Sequence, residues 1–272
     1  MTAASTGAAR GAGILTPTLR VLEYDLRVYR RTWRGGIMTT LFAPVLFLVS
    51  MGFGLGQFVD QGGNATSFLG GVPYAAWLAP GLLAAQAMQV AGFQSTYPIM
   101  GRIVWDRIYS GMLSTPITVP GIVFGEIAWV AVRLAIGSTA FLVTMVIFRL
   151  VTLPVGLLAI PAAVLTGLAF AVPILAYTAT QRNDQGFNAI FRFGLTPLFI
   201  FSGTFFPITQ LPTFLQAVAF LTPLWHGVHL VRSLTLGTVA PFGALIDLLV
   251  LGVYIAAGVA GALVTFRRAL VK

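Results

Sequence analysis

The chain has 272 residues, of which 57% are hydrophobic and only 8% charged. Soluble domains carry roughly 25% charged residues, so the composition excludes an ordinary water-soluble fold and predicts an integral membrane protein. The absence of cysteine excludes disulfides, thiolate metal sites and a cysteine nucleophile. The net charge of +9 resides in arginines that flank apolar stretches, a pattern of membrane topology and not of nucleic-acid binding.

Residues 1–15 begin with small residues, MTAASTGAARGAG, and lack the apolar core of a signal peptide. They predict a disordered cytoplasmic tail. Residues 16–36 predict an amphipathic interfacial helix. Leu19, Leu22, Leu26, Tyr29 and Trp33 recur three and four apart on one face, and Arg20, Arg27, Arg31 and Arg34 occupy another. Glu23 stands four residues before Arg27, the favourable order for a pair. A basic helix with aromatic residues is suited to the membrane–water boundary, with Arg27, Arg30, Arg31 and Trp33 as its anchors. An ordinary cytoplasmic helix packed on the protein is the plainer alternative.

The remaining 37–272 predict a six-span transmembrane domain. A span needs about 20 mostly apolar residues, and the stretches 37–56, 74–99, 122–148, 155–180, 193–206 and 241–265 are the candidates. The loop before the second of them carries the glycosylation sequon Asn64-Ala-Thr66, a short and common pattern. The fifth stretch is short and is followed by apolar residues interrupted by Pro207, Pro212 and Pro223. That pattern predicts a re-entrant hairpin over 207–230, with irregular backbone covered by protein or water. The segment before residue 37, the loops at 100–120 and 181–192, and the C-terminus hold 13 of the 16 basic residues. The positive-inside rule then puts both termini in the cytoplasm.

Between the second and third spans lies a short charged stretch, 102–116. Val104, Ile108 and Met112 recur every four residues and predict a helix over 102–113. Arg102 and Asp106 are spaced to pair, and Pro116 ends the element by forcing Thr115 out of helical geometry. The segment has the form of a cytoplasmic handle for a partner.

Few charges fall inside the spans, where they are expensive and usually face protein or a wet cavity. Glu126 is expected near an interface, capping or pairing locally. Arg133, two turns on, is expected to meet a carboxylate or an anionic substrate group. Asp247 opens the sixth span. His226 and His229 are too few for a zinc site, which needs three or four ligands. The single lysine is Lys272, so no Walker A loop exists in this sequence. Neither H-E-x-x-H nor G-x-S-x-G occurs.

The run WDRIYSGMLSTP (105–116), continuing into FGEIAW (124–129), resembles the loop and third-span entry of type-2 ATP-binding-cassette exporter permeases. The likeness is nearest to permeases that export lipo-oligosaccharide nodulation factors, and extends to drug exporters. The runs FSGTFFPI (201–208) and LTPLWHG (221–227) resemble that family's second signature. Asp106 stands where the family often has glutamate, which keeps the acidic character.

The resemblance implies an all-α permease that acts as a dimer with a second copy or paralogue. A separate nucleotide-binding subunit would hold ATP and magnesium, with no cofactor in this chain. It implies ATPase contacts at Arg102, Trp105, Asp106, Arg107, Met112 and Leu113, with a second contact from the N-terminal helix. Location would be the bacterial inner membrane. Arg133, Phe201, Phe205 and Phe206 are the candidates for the substrate path, within an aromatic wall of Phe191, Phe193, Phe199, Tyr74 and Trp77. The cargo would be a lipo-oligosaccharide, a glycolipid or a hydrophobic drug. A proton-coupled carrier using Glu126 or Asp247 is the alternative from another class; it predicts inverted repeats, and none is visible. An intramembrane lipid enzyme needs clustered titratable groups, whereas the seven acids and two histidines are scattered along the sequence.

Overall fold

The computed structural model describes residues 13–61 and 69–271, with the side chains of 34, 36–41, 43 and 44 outside that description. The described residues are helical and contain no strand. In chain order the α-helices are α1 (Leu15–Phe47), α2 (Gly56–Gln61), α3 (Tyr74–Gln94), α4 (Tyr97–Met100), α5 (Ile108–Leu113), α6 (Val119–Ile147), α7 (Ala159–Thr178), α8 (Gln185–Ala189), α9 (Thr196–Phe201), α10 (Thr213–Leu221), α11 (Pro223–Leu236) and α12 (Pro241–Leu270). Wider π turns at Leu48–Leu55, Gly101–Trp105 and Ile190–Leu195 join several of them.

Among the described residues, three helices are long and apolar enough to cross a membrane: Val119–Ile147, Val155–Thr178 and Pro241–Leu270. The pair α10 and α11 would add a fourth if it forms one span, but it is bent by 83°. Prolines explain the bend. Pro223 pushes Thr222 into an extended conformation, with ψ of 141°, and opens α11 where a proline costs no internal hydrogen bond. The other three apolar stretches of the sequence are helical but interrupted or more polar. The first is shared among α1, a π turn and α2. The second, α3, carries Gln86 and Gln89. The fifth is broken into the end of a π turn, the short α9 and the irregular residues 202–206.

The N-terminal segment differs from the simplest reading of its sequence. No break separates 16–36 from the apolar residues that follow; α1 runs unbroken from Leu15 to Phe47. Its first turns lie alongside the start of α6, because Gly121 and Gly125 present no side chain to Pro17 and Val21. A Cβ on Gly125 would lie 2.5 Å from that of Val21. The protein-facing stripe is therefore Pro17, Val21 and Asp25, while Leu19, Leu26 and Trp33 are exposed. The tail expected over 1–15 falls mostly outside the described residues, as does the Asn64 sequon.

Two apolar cores result. The larger joins α3, α6, α7 and α11 through residues such as Leu78, Met88, Leu134 and Val231. The smaller gathers Val21, Ile99, Tyr109, Ile122, Leu175 and Phe266, where α1, α5, α6, α7 and α12 converge.

Candidate functional site

The smaller core carries the most concentrated buried charge among the described residues. The stretch after α3 is not one helix over 102–113. It is a π turn, closed by Asp106 N–H donating to the Gly101 carbonyl at 2.8 Å, then a left-handed residue, Arg107, with φ of 51°. Helix α5 starts only at Ile108. This kink turns Arg102 inward. It does not pair with Asp106, as the four-residue spacing suggests. Its guanidinium donates instead to both oxygens of Asp25 on α1, one at 3.1 Å, and to Glu126 on α6. Tyr109 on α5 donates its hydroxyl to the same Glu126 oxygen at 2.7 Å. Asp25 and Glu126 are each 1% exposed. One guanidinium thus ties three segments that are remote in sequence, and the tyrosine adds a fourth contact.

Burial and neighbouring charges set the titration of this junction. Burial opposes the Arg102 charge, but Glu126, Tyr109 and Asp25 outweigh it, and the guanidinium is held more firmly protonated than in water. Burial pushes the Asp25 carboxyl above its ordinary value, more than Arg102 pulls it down. Burial and then the Glu126 charge push the Tyr109 hydroxyl well up, so it stays a donor.

The kink divides the sequence-derived contact set. Arg102 is spent inside the protein. Met112 and Leu113 pack against the smaller core. Trp105, Asp106 and Arg107 face outward, with Trp105 58% exposed. Arg27, Arg30, Arg31 and Trp33 are exposed on α1, and Arg27 holds Glu23 at 2.6 Å as the spacing predicts.

The residues expected along a substrate path fall into separate places. Arg133 lies over the Tyr29 ring at 4.7 Å and lines a cavity of about 270 Å³ with Asp25, Gln94, Arg102 and Trp129. Phe205 and Phe206 line another, of about 280 Å³, with Tyr74, Leu69 and Gln210. Phe205 also stacks edge-on against Phe199 at 4.9 Å and meets Phe47 at 5.7 Å. Phe201 lines neither cavity and is 39% exposed. Phe193 also points out, while Phe191 stacks on Tyr97. Trp77 is buried beneath Arg232, 3.7 Å from its ring centre.

At the α10–α11 bend, Asp247 accepts from His226 at 2.8 Å and His229 at 2.6 Å. Tyr254 donates to the Leu221 carbonyl at 2.8 Å. These contacts anchor the bend to α12.

Sequence reasoning passed over Asp25 and Tyr109. The signal for Asp25 was present: Pro17, Val21, Asp25 and Tyr29 recur every four residues, so the acid stands on a stripe that is otherwise non-ionic.

Comparison with known proteins defines the family. Residues 17–236 match the family model for the ABC-2 type transporter. The chain belongs to the ABC-2 type transporter family. The match runs from the first turns of α1 to the end of α11 and so includes the junction. This ABC-2 protein is 32% identical over 214 residues to Nodulation protein J of Sinorhizobium fredii, covering 79% of each chain. It is 33% identical over 219 residues to the protein of that name from Rhizobium leguminosarum bv. trifolii, covering 78% of this chain and 81% of the relative. With the Bradyrhizobium diazoefficiens Nodulation protein J it shares 31% over 244 residues, 90% of each. With this family and these apolar helices it is a membrane protein, the permease component of a transporter and not its ATPase.

Proposed function

We propose that this chain is the permease subunit of an ATP-driven exporter that moves an amphipathic substrate, a lipo-oligosaccharide or glycolipid, out of the cytoplasm or inner leaflet. The observation that carries the reading is the Arg102 junction. A force on the outward-facing Trp105, Asp106 and Arg107 passes through one guanidinium to α1 and α6 together. A nucleotide-binding subunit docked on that tip would supply the force, holding ATP and magnesium itself. Coupling of this kind is a free energy shared between two sites.

In this reading the stretch 37–56, α3, α6, the 155–178 segment, the stretch 193–206 and α12 are the six spans, and 207–230 is a re-entrant hairpin. Arginine placement supports cytoplasmic termini in a bacterial inner membrane. The exposed stripe Leu19, Leu26 and Trp33 with Arg27, Arg30 and Arg31 suits the inner boundary. Phe205 and Phe206 line an apolar cavity that suits an acyl chain or a stacked sugar. The exposed apolar side of α12, with Phe242, Leu249 and Val253, is left for lipid or a second permease copy.

The test is purification of the tagged, detergent-solubilised protein from its native host. A co-purifying P-loop subunit with vanadate-sensitive hydrolysis is expected; a single chain without ATPase activity overturns the reading. Asp106→Arg should abolish the stimulation of that ATPase while the melting temperature stays near wild type, since exposed substitutions shift stability within about 0.5 kcal/mol. Unchanged stimulation would remove Asp106 from the docking surface.

A further inference from the structure

Arg133, inside the long apolar helix α6, has neither an acid nor a hydrogen-bond acceptor among the described residues. Its face rests on the Tyr29 ring, yet its Nε is buried without a partner, and so is the Tyr29 hydroxyl. Both residues line the same cavity, about 270 Å³, between α1, the end of α3 and α6. Buried donors without partners are rare and costly, and an unpaired charge within a span ordinarily serves a ligand or pathway. Gln94 adds an amide to the lining, and Trp129 an aromatic ring. Asp25 also lines the space, but both its oxygens are turned onto Arg102. The remaining uncommitted charge in the lining is positive.

Depth fits an amphiphile. Helix α6 has 29 residues, so it is about 43 Å long, roughly 13 Å more than a bilayer core. The buried charges of the junction put that surplus at its Val119 end. Arg133 then lies about 9 Å inside the boundary, counted back from Ile147, within reach of a guanidinium that snorkels. Val28 and Thr32 at the rim are exposed, so the cavity opens along α1.

We propose that this cavity is a receptor site for an anionic phosphate-type headgroup carried on an amphiphile, with Arg133 and Tyr29 as its donors. It deepens the export reading by naming the chemistry at the entrance, but binding is measured without any ATPase, so the two fail separately. The experiment titrates the purified protein in an uncharged detergent with dihexanoyl-phosphatidylglycerol, with dihexanoylglycerol and with inorganic phosphate. Tryptophan fluorescence reports binding, and Trp129→Phe identifies the signal from the cavity wall. Saturable binding of the phosphatidylglycerol is expected, and none of dihexanoylglycerol. Arg133→Gln should weaken it by about tenfold or more and Tyr29→Phe by about threefold, the effects of losing a charged and a neutral donor. Arg133→Lys, which keeps charge without the planar fork, should fall between and serves if the glutamine variant does not fold. Inorganic phosphate binding as tightly as the lipid would keep the anion site and make its source soluble. No saturable phosphatidylglycerol binding, or wild-type affinity in both Arg133→Gln (or Arg133→Lys, if the glutamine variant does not fold) and Tyr29→Phe, overturns the proposal.

Discussion

Arg102 and Arg232 are both drawn into the protein, and they are held in opposite ways. They sit toward opposite ends of α3: Arg102 follows its C-terminal end, and Arg232 covers Trp77 in its first turn. Trp77 and Gln94 are separated by about 26 Å of helix. Arg102 is neutralised by two carboxylates from two other helices. Arg232 meets no carboxylate among the described residues; it donates to the carbonyls of Trp77 at 3.1 Å and Gly203 at 2.9 Å and lies on the Trp77 ring. The Gly203 carbonyl is presented by a left-handed turn, φ of 80°, that only glycine adopts without strain. The difference teaches what each end is built to do. An ion junction of three elements ties them to one another. A guanidinium on backbone carbonyls and a ring pins one loop to one helix.

Substitution at each arginine separates the two designs. The largest effect is expected for Arg102→Ala, which strands Asp25 and Glu126 as buried acids without a cation; breaking such an arrangement typically costs about 3–5 kcal/mol. Thermal unfolding in detergent should show a large fall in melting temperature, and Arg102→Lys should recover only part of it. A melting temperature within a degree of wild type for Arg102→Ala would mean the junction is not a structural tie. Arg232→Ala should be milder, on the order of 2–3 kcal/mol, from a desolvated cation–π contact and charge-assisted hydrogen bonds. It leaves neutral carbonyls behind instead of charges. If Arg232→Ala proves the more damaging variant in the same assay, the ranking of the two ends reverses.

The smallest effect is in pH dependence, and it belongs to one end only. Burial raises the Asp25 carboxyl above its ordinary 3.8, so the folded chain holds that proton more tightly than the unfolded chain. Stability from this group is fully present below about the ordinary value and is lost as pH rises through the raised one. Wild type should therefore lose melting temperature relative to Asp25→Asn, which lacks the titrating group, as pH rises above the ordinary value. Parallel profiles for the two proteins would show that Asp25 does not exchange its proton differently on folding.

The limits of the sequence are clearest at these same residues. The spacing of Glu23 and Arg27 was enough to predict their pair, because both lie on one exposed helix where local geometry decides. The same rule offered Asp106 to Arg102 and failed. A local surface pair is worth a few tenths of a kcal/mol, whereas leaving Asp25 and Glu126 buried and unpaired is worth several. Met112 looked like part of a docking stripe by periodicity, but the kink at Arg107 turned it onto the smaller core. Phe201, Phe205 and Phe206 read as one wall, yet the turn at Gly203 sends Phe201 outward and the other two into a cavity.

What the sequence determined by itself was set by short-range physics. Apolar content fixed a membrane environment, proline and glycine placed the interruptions, and the runs around 105–116 and 201–227 carried the family. Only the tertiary structure decided which charges meet. Asp25, Arg102 and Glu126 are separated by 77 and 24 positions, and no periodicity reports on partners so far apart. Their pairing follows from two glycines that let α1 settle against α6 and from a left-handed residue that turns one arginine inward.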